Sequence, residues 1–180
     1  MVLSVRGLGV RYATAQGPVH AVTDVSFDVH ADEVFGIAGE SGCGKSTLIR
    51  ALLRLLPDNA ESVADTVRYR DYDLFGMNED DFRQHILWQE ISLVPQSAMN
   101  SLNPVYRVGA QVVEAIQTHR RVSKAEARER VAHLFDVVGL QPDLMNSYPH
   151  EFSGGMRQRA MIAMSLALDP GLIVMDEPTT

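Results

Sequence analysis

One cysteine, Cys43, stands in 180 residues. That excludes an internal disulfide framework and any four-cysteine metal site, and it suits a reducing compartment. Positive charge is also short. Sixteen Lys and Arg face 23 Asp and Glu, a net charge of −7. As a whole, such a chain is a poor electrostatic match for nucleic acid or for an anionic lipid surface. Long apolar runs are missing too. The longest, residues 160–168, is broken by Ser165 and reaches about half a membrane span. The first dozen residues hold Arg6 and Arg11 within their apolar pattern and lack a signal-peptide core. No internal repeat or low-complexity linker interrupts the chain. The expectation is a soluble, cytoplasmic domain whose membrane role, where it has one, comes through a partner.

What is present is ordinary for a globular domain: 46% hydrophobic and 22% charged residues. A chain of this size buries about 70% of its unfolded surface and needs no staples. Leu8, Val10 and Tyr12 alternate at period two and predict a strand over 2–12; Val25, Phe27 and Val29 predict another. Residues 34–38 read as a short buried strand running into a glycine-rich loop. A helix is expected over 48–56, stopped by Pro57, then a weaker strand over 63–70 and a short helix over 79–85. Residues 91–94 form a buried strand closed by Pro95. Helices then dominate. One spans 108–121. A second opens on the capping box of Ser123 and Glu126 and ends at Gly139. A third is capped by Ser153 and runs to about residue 168. Leu172 to Met175 read as a final buried strand. The pattern is an α/β core with a helical insertion.

Gly39-Glu40-Ser41-Gly42-Cys43-Gly44-Lys45-Ser46 fits G-x-x-x-x-G-K-[ST], and Thr47 follows. A strand is expected before it and a helix after. Glycines let backbone N–H groups converge on phosphate oxygens without a Cβ in the way. The helix adds the positive end of its dipole. Lys45 supplies a mobile charge for the β- and γ-phosphates, and the Ser46 hydroxyl suits Mg²⁺. Cys43 fills a variable position in this loop; a helix N-terminus close by can activate a thiol, and a small filler is the alternative.

The apolar run 172–175 ends in Asp176 and Glu177. A buried strand is a rigid mount for carboxylates at the edge of an open α/β sheet, where ligands bind. Asp176 can hold Mg²⁺, mostly through water, and Glu177 can polarise an attacking water.

Two further segments carry a resemblance. Glu151-Phe152-Ser153-Gly154-Gly155-Met156-Arg157-Gln158-Arg159 resembles the signature motif of ABC-type ATPases, and Leu93-Val94-Pro95-Gln96 resembles their glutamine loop. With the phosphate loop and the Asp-Glu strand (the Walker B motif), four motifs stand in the family's order over essentially the whole chain. The signature, together with Gln96-Ser97-Ala98-Met99-Asn100-Ser101-Leu102-Asn103-Pro104, looks like the oligopeptide/dipeptide and nickel importer subgroup. Phe152 and Met156 replace the commoner Leu and Gln of the signature, which fits that subgroup.

The resemblance implies a P-loop NTPase (RecA-like) core with an N-terminal antiparallel β subdomain and an inserted helical subdomain. Residues 1–96 would hold the β subdomain and phosphate-loop core, 97–168 the helical subdomain with the signature, and 169–180 the Walker B strand. It implies ATP and Mg²⁺ as ligands. Gly39, Ser41, Gly42, Cys43, Gly44, Lys45, Ser46 and Thr47 would hold the phosphates, and Tyr12 would stack on adenine. Ser153, Gly154 and Gly155 would contact ATP held by an opposite subunit. Ser46, Gln96 and Asp176 would serve the metal, and Glu177, Gln96 and Lys45 the chemistry. It implies a second ABC ATPase subunit, identical or paralogous, transmembrane permease subunits, a solute-binding protein indirectly, and no nucleic acid. The place would be the cytoplasmic face of the membrane, reached through the permease. The family would continue past Thr180 into an Ala-Leu-Asp turn and a strand with a switch histidine. A chain truncated after the Walker B motif is therefore expected, with weak or no hydrolysis by itself. A non-transport ABC-type ATPase of repair or translation is an alternative, and so is a nucleotide-gated interaction module without hydrolysis.

Overall fold

The structure is a computed structural model and describes residues 1–96 and 101–177. The segment 97–100 of the subgroup motif and residues 178–180 lie outside the described residues. The chain divides into two compact units, residues 1–84 and 85–180.

The first unit is built on a long hairpin. Strand β1 (Leu3–Thr14) pairs antiparallel with β2 (Gly17–Val29), with Thr14 opposite Gly17 at the turn. Gly17 takes φ 114°, a conformation open to glycine, so the turn needs that residue. The period-two reading holds: Leu8 and Val10 are buried and Tyr12 is half-buried on the same face. Helix α1 (Lys45–Leu52) follows the glycine-rich loop. It begins and ends earlier than the apolar pattern suggested. Arg54 adopts φ 53°, and the amides of Arg54 and Leu55 fold back onto the carbonyls of Ala51 and Arg50. A left-handed residue that turns the chain back on the last helical carbonyls stops a helix, whatever residue supplies it. The expected strand over 63–70 is two: β3 (Ala60–Val63) and β4 (Thr66–Tyr69), both antiparallel to β1. The short β5 (Tyr72–Asp73) pairs with β4. The expected helix over 79–85 is one α-turn, α2 (Glu79–Asp81), capped by Asn78, which passes into a π-turn at Phe82–Ile86.

One expectation fails here. Residues 34–38 are not a buried strand. No strand pairs with them among the described residues, Val34 is 100% exposed, and Phe35 and Ile37 are also exposed. An apolar run becomes a strand only when a neighbour supplies the ladder, and that neighbour cannot be read from the run itself. Phe35 instead stacks on Phe27 of β2, ring centroids 5.1 Å apart.

In the second unit, strands β6 (Ile91–Val94) and β7 (Leu172–Met175) occupy the expected residues and pair parallel, but β7 is half-buried rather than buried, with Met175 exposed at its end. Between them lie α3 (Val108–His119), α4 (Lys124–Val137) and α5 (Gly154–Ser165). Their apolar faces share one core, with Val112 and Ile116 from α3, Val131, Leu134 and Phe135 from α4, and Ala160 and Ala163 from α5. Burying Phe135 contributes about 1.5–3 kcal/mol. Helix α5 stops at Ser165, short of 168. Arg120 donates to the Leu168 carbonyl, Arg130 to Asp169 and, at 3.4 Å, to the Leu166 carbonyl, and Asp169 takes φ 56°. Arg130 thus holds the C-cap carbonyl at the negative end of the helix, and Arg120 a carbonyl of the turn beyond it.

Candidate active site

In the first unit the loop 39–44 curls into a closed turn. The Cys43 amide donates to the Glu40 carbonyl at 3.3 Å. The Lys45 ammonium donates to the carbonyls of Gly39 and Glu40, both at 2.8 Å, and to Cys43 Sγ at 3.8 Å. Gly42 and Gly44 take φ 81° and 99°. Two left-handed glycines within three residues are the backbone type from which anion-binding nests are built. Gly44 has a second reason to be glycine: a Cβ there would stand 2.3 Å from the Ala21 carbonyl oxygen. It is also the N-cap of α1, so Lys45, Ser46 and Thr47 form the first turn at the helix's positive end. Tyr12 reaches the same turn, its hydroxyl 3.4 Å from Thr47 Oγ1. A cleft of about 540 Å³ adjoins the loop, and Phe27, Phe35, Cys43, Gly44 and Lys45 are among the residues that line it.

In the second unit the parallel ladder brings two more of the expected residues together. Val94 stands opposite Met175, and the Asp176 amide donates to the Val94 carbonyl at 3.0 Å, one step beyond the last pair. Gln96 and Glu177 follow on both strands, and Gln96 Nε2 donates to Glu177 Oε2 at 2.5 Å. Asp176 is buried, 7% exposed, while Gln96 and Glu177 are open to solvent. Glu177 turns off the strand with φ 48°.

The signature residues stand at the start of α5. Ser153 is the N-cap and accepts from the Met156 amide at 3.3 Å, and Gly154 and Gly155 are the first helical residues. A Cβ on Gly155 would meet nothing within 4 Å, so this helix end is approachable. Arg157 of the same turn is part of the signature pattern but is assigned no role of its own by it. Its Nε is buried with no hydrogen-bond partner among the described residues, and so is Ser92 Oγ on β6. Neither follows from spacing. Sequence reasoning missed the Lys45 contacts to main-chain carbonyls as well, since no residue type marks them. The candidate metal donors, the Ser46 hydroxyl, the Gln96 amide and the Asp176 carboxylate, are all hard oxygen donors of the kind Mg²⁺ takes beside phosphate oxygens and water.

The family described as ABC transporter matches residues 22–180. The chain belongs to the ABC transporter family. It is 43% identical to the dipeptide transport ATP-binding protein DppD of Bacillus subtilis, over 99% of this chain and 54% of that protein. It is 42% identical to the oligopeptide transport ATP-binding protein OppD of Escherichia coli, over 99% of this chain and 53% of that protein. The chain thus spans about half the length of these curated relatives. The ATP-binding cassette MJ0796, solved as a dimer bound to ADP and Pi, superposes with a TM-score of 0.86 at 24% identity, over 98% of this chain and 74% of that one. That likeness establishes the ABC cassette fold, the P-loop α/β architecture that the motifs implied. Among the described residues no helix is long and apolar enough to cross a membrane.

Proposed function

We propose that this ABC family member binds ATP with Mg²⁺ and serves as the hydrolysing subunit of an importer for peptides. The observation that carries the reading is the curled loop 39–44 at the N-terminus of α1, with the Lys45 ammonium held on two loop carbonyls. Those carbonyl contacts keep the ammonium at the loop and can be exchanged for phosphate oxygens, which bind a cation more strongly. Backbone amides of Gly42, Cys43 and Gly44 and the first turn of α1 would complete the cradle, and Tyr12 would meet the base. Ser46, Asp176 and Gln96 would hold Mg²⁺, which would neutralise charge on the phosphate oxygens when bound.

Glu177 would accept a proton from water as the water oxygen bonds to the γ-phosphorus and the bond to the β-phosphate bridging oxygen breaks, leaving ADP and phosphate. Ser153, Gly154 and Gly155 would face nucleotide held by a second ATPase subunit, and a permease would dock on the helical part, residues 97–168. Residues 1–96 would carry the β subdomain and loop, and 169–180 the acidic strand. The site of action would be the cytoplasmic face of the membrane. The names of the dipeptide and oligopeptide transport relatives favour a peptide as the cargo.

Calorimetric titration of the full 180-residue chain with ATP and Mg²⁺ tests the reading. Lys45→Ala should weaken binding about tenfold or more, since it removes the one mobile cation of the loop. Equal affinity in the two proteins would overturn it.

A further inference from the structure

We propose that Gln96 acts in this site as a positioning residue for Glu177: its amide holds the carboxylate, and the carboxylate in turn fixes which end of the amide faces outward. The inference rests on the hydrolysis reading above but concerns a contact that reading does not require. Strands β6 and β7 run parallel with a constant offset, Ile91 opposite Leu172 through Val94 opposite Met175. The Asp176 amide extends that ladder to the Val94 carbonyl. Register alone therefore delivers Gln96 and Glu177 side by side, just past the point where the ladder ends. Both are exposed there, so no packing forces them together. Their 2.5 Å contact is instead a hydrogen bond from the Gln96 amide to a Glu177 carboxyl oxygen.

A carboxylate only accepts, and a glutamine amide donates only through Nε2. The Nε2 end must face Glu177, because the reverse would set two oxygens against each other. Gln96 Oε1 is then presented away from Glu177. The backbone of Glu177 sits at φ 48°, a left-handed conformation that costs a non-glycine residue free energy. A side chain leaving a strand through such a turn benefits from a fixed partner. Gln96 is that partner, held at the matching height by the neighbouring strand.

Two measurements on the full chain test the proposal. The first reads the Gln96 side-chain amide by nitrogen-15 NMR, assigned as the resonance pair missing from Gln96→Ala. Glu177→Ala should move this pair more than any other side-chain amide, and Glu177→Gln, which keeps an acceptor oxygen, should move it less. An unmoved pair in Glu177→Ala overturns the proposal. The second is a double-mutant cycle on single-turnover ATP hydrolysis. Gln96→Ala should lower the rate on the order of tenfold to a hundredfold with the ATP KM changed less than twofold. With Mg²⁺ saturating in every variant, so that the metal contact given to Gln96 is not what is read, the same substitution in a Glu177→Ala background should then change little, since a positioner loses its effect when its target is gone. Losses that multiply would show Gln96 acting independently and overturn the proposal. A wild-type chain without turnover, as expected of these 180 residues by themselves, leaves the hydrolysis reading standing, and the amide resonances alone then decide the contact.

Discussion

The indole Nε1 of Trp88 donates a 3.1 Å hydrogen bond to the main-chain carbonyl of Met164. Trp88 lies just before β6 and Met164 near the end of α5, so one bond ties the approach to the Gln96 strand to the helix that Ser153 caps. The indole also meets the His119 ring edge-on, centroids 5.8 Å apart. Trp88→Phe keeps an aromatic ring and removes the donor. The Met164 carbonyl still accepts from the Ala167 amide, so it is not left orphaned. The cost should be the net worth of one hydrogen bond, about 1 kcal/mol. Urea unfolding followed by circular dichroism checks it, and a loss above about 3 kcal/mol would show the indole to be part of the packed core.

Val34 supplies a test of where the apolar run 34–38 stands. Its side chain is fully exposed and Phe35 stacks on Phe27. Val34→Thr should change stability by less than about 0.5 kcal/mol. Phe35→Ala should cost about 0.5–1.5 kcal/mol for the lost ring pair alone, plus the area it covers. A buried strand would reverse the order of sensitivity and make Val34 the costly position. Urea midpoints of the two variants decide between them.

Gly42 and Gly44 separate strain from collision. Both have positive φ, 81° and 99°. A Cβ at Gly42 meets nothing within 4 Å, whereas one at Gly44 would be 2.3 Å from the Ala21 carbonyl oxygen. Gly42→Ala should therefore cost only the left-handed penalty, about 1–2 kcal/mol. Gly44→Ala must also push backbone against backbone and should cost about 1–3 kcal/mol more. Equal losses in thermal unfolding would mean that the hairpin yields to the new methyl.

What the sequence made legible was local chemistry. The glycine loop announced itself because few residue types can turn amides onto one point, and the caps at Ser123 and Ser153 because a serine hydroxyl ahead of a helical pattern can accept from a free first-turn amide. Strands β6 and β7 were bounded correctly, β6 by Pro95 at its end and β7 by the extent of its own apolar run. Pairing was not legible. Gln96 and Glu177 lie 81 residues apart, and only the parallel register makes them neighbours. For the same reason residues 34–38 were misread: their apolarity was visible and the missing ladder was not. The end of α1 was misplaced because Arg54, not a glycine, takes the left-handed turn.

The capping box of α4 makes a pH prediction whose sign can be worked out. The Ser123 hydroxyl accepts from the Glu126 amide at 3.2 Å, and Glu126 Oε2 accepts from the Ser123 amide at 2.7 Å. Hydrogen bonding from Ser123, through its side chain first and its amide second, holds the Glu126 carboxyl below its ordinary value. The unfolded chain keeps that ordinary value, about 4.3. A folded carboxyl that is more acidic than the unfolded one stabilises the fold fully above the ordinary value. The contribution then fades as pH falls from there through the lower, folded value. Glu126→Gln keeps an oxygen for the Ser123 amide but has no proton to gain. Its deficit against the wild type should therefore be largest at pH 7 and shrink toward pH 3. Ser123→Ala, by contrast, removes the cap itself and should cost about 1 kcal/mol at neutral pH. Urea midpoints at pH 7, 5 and 3.5 for the three proteins give the answer. A Glu126→Gln deficit that stays constant across that range would show that the ionised carboxylate adds nothing to the cap.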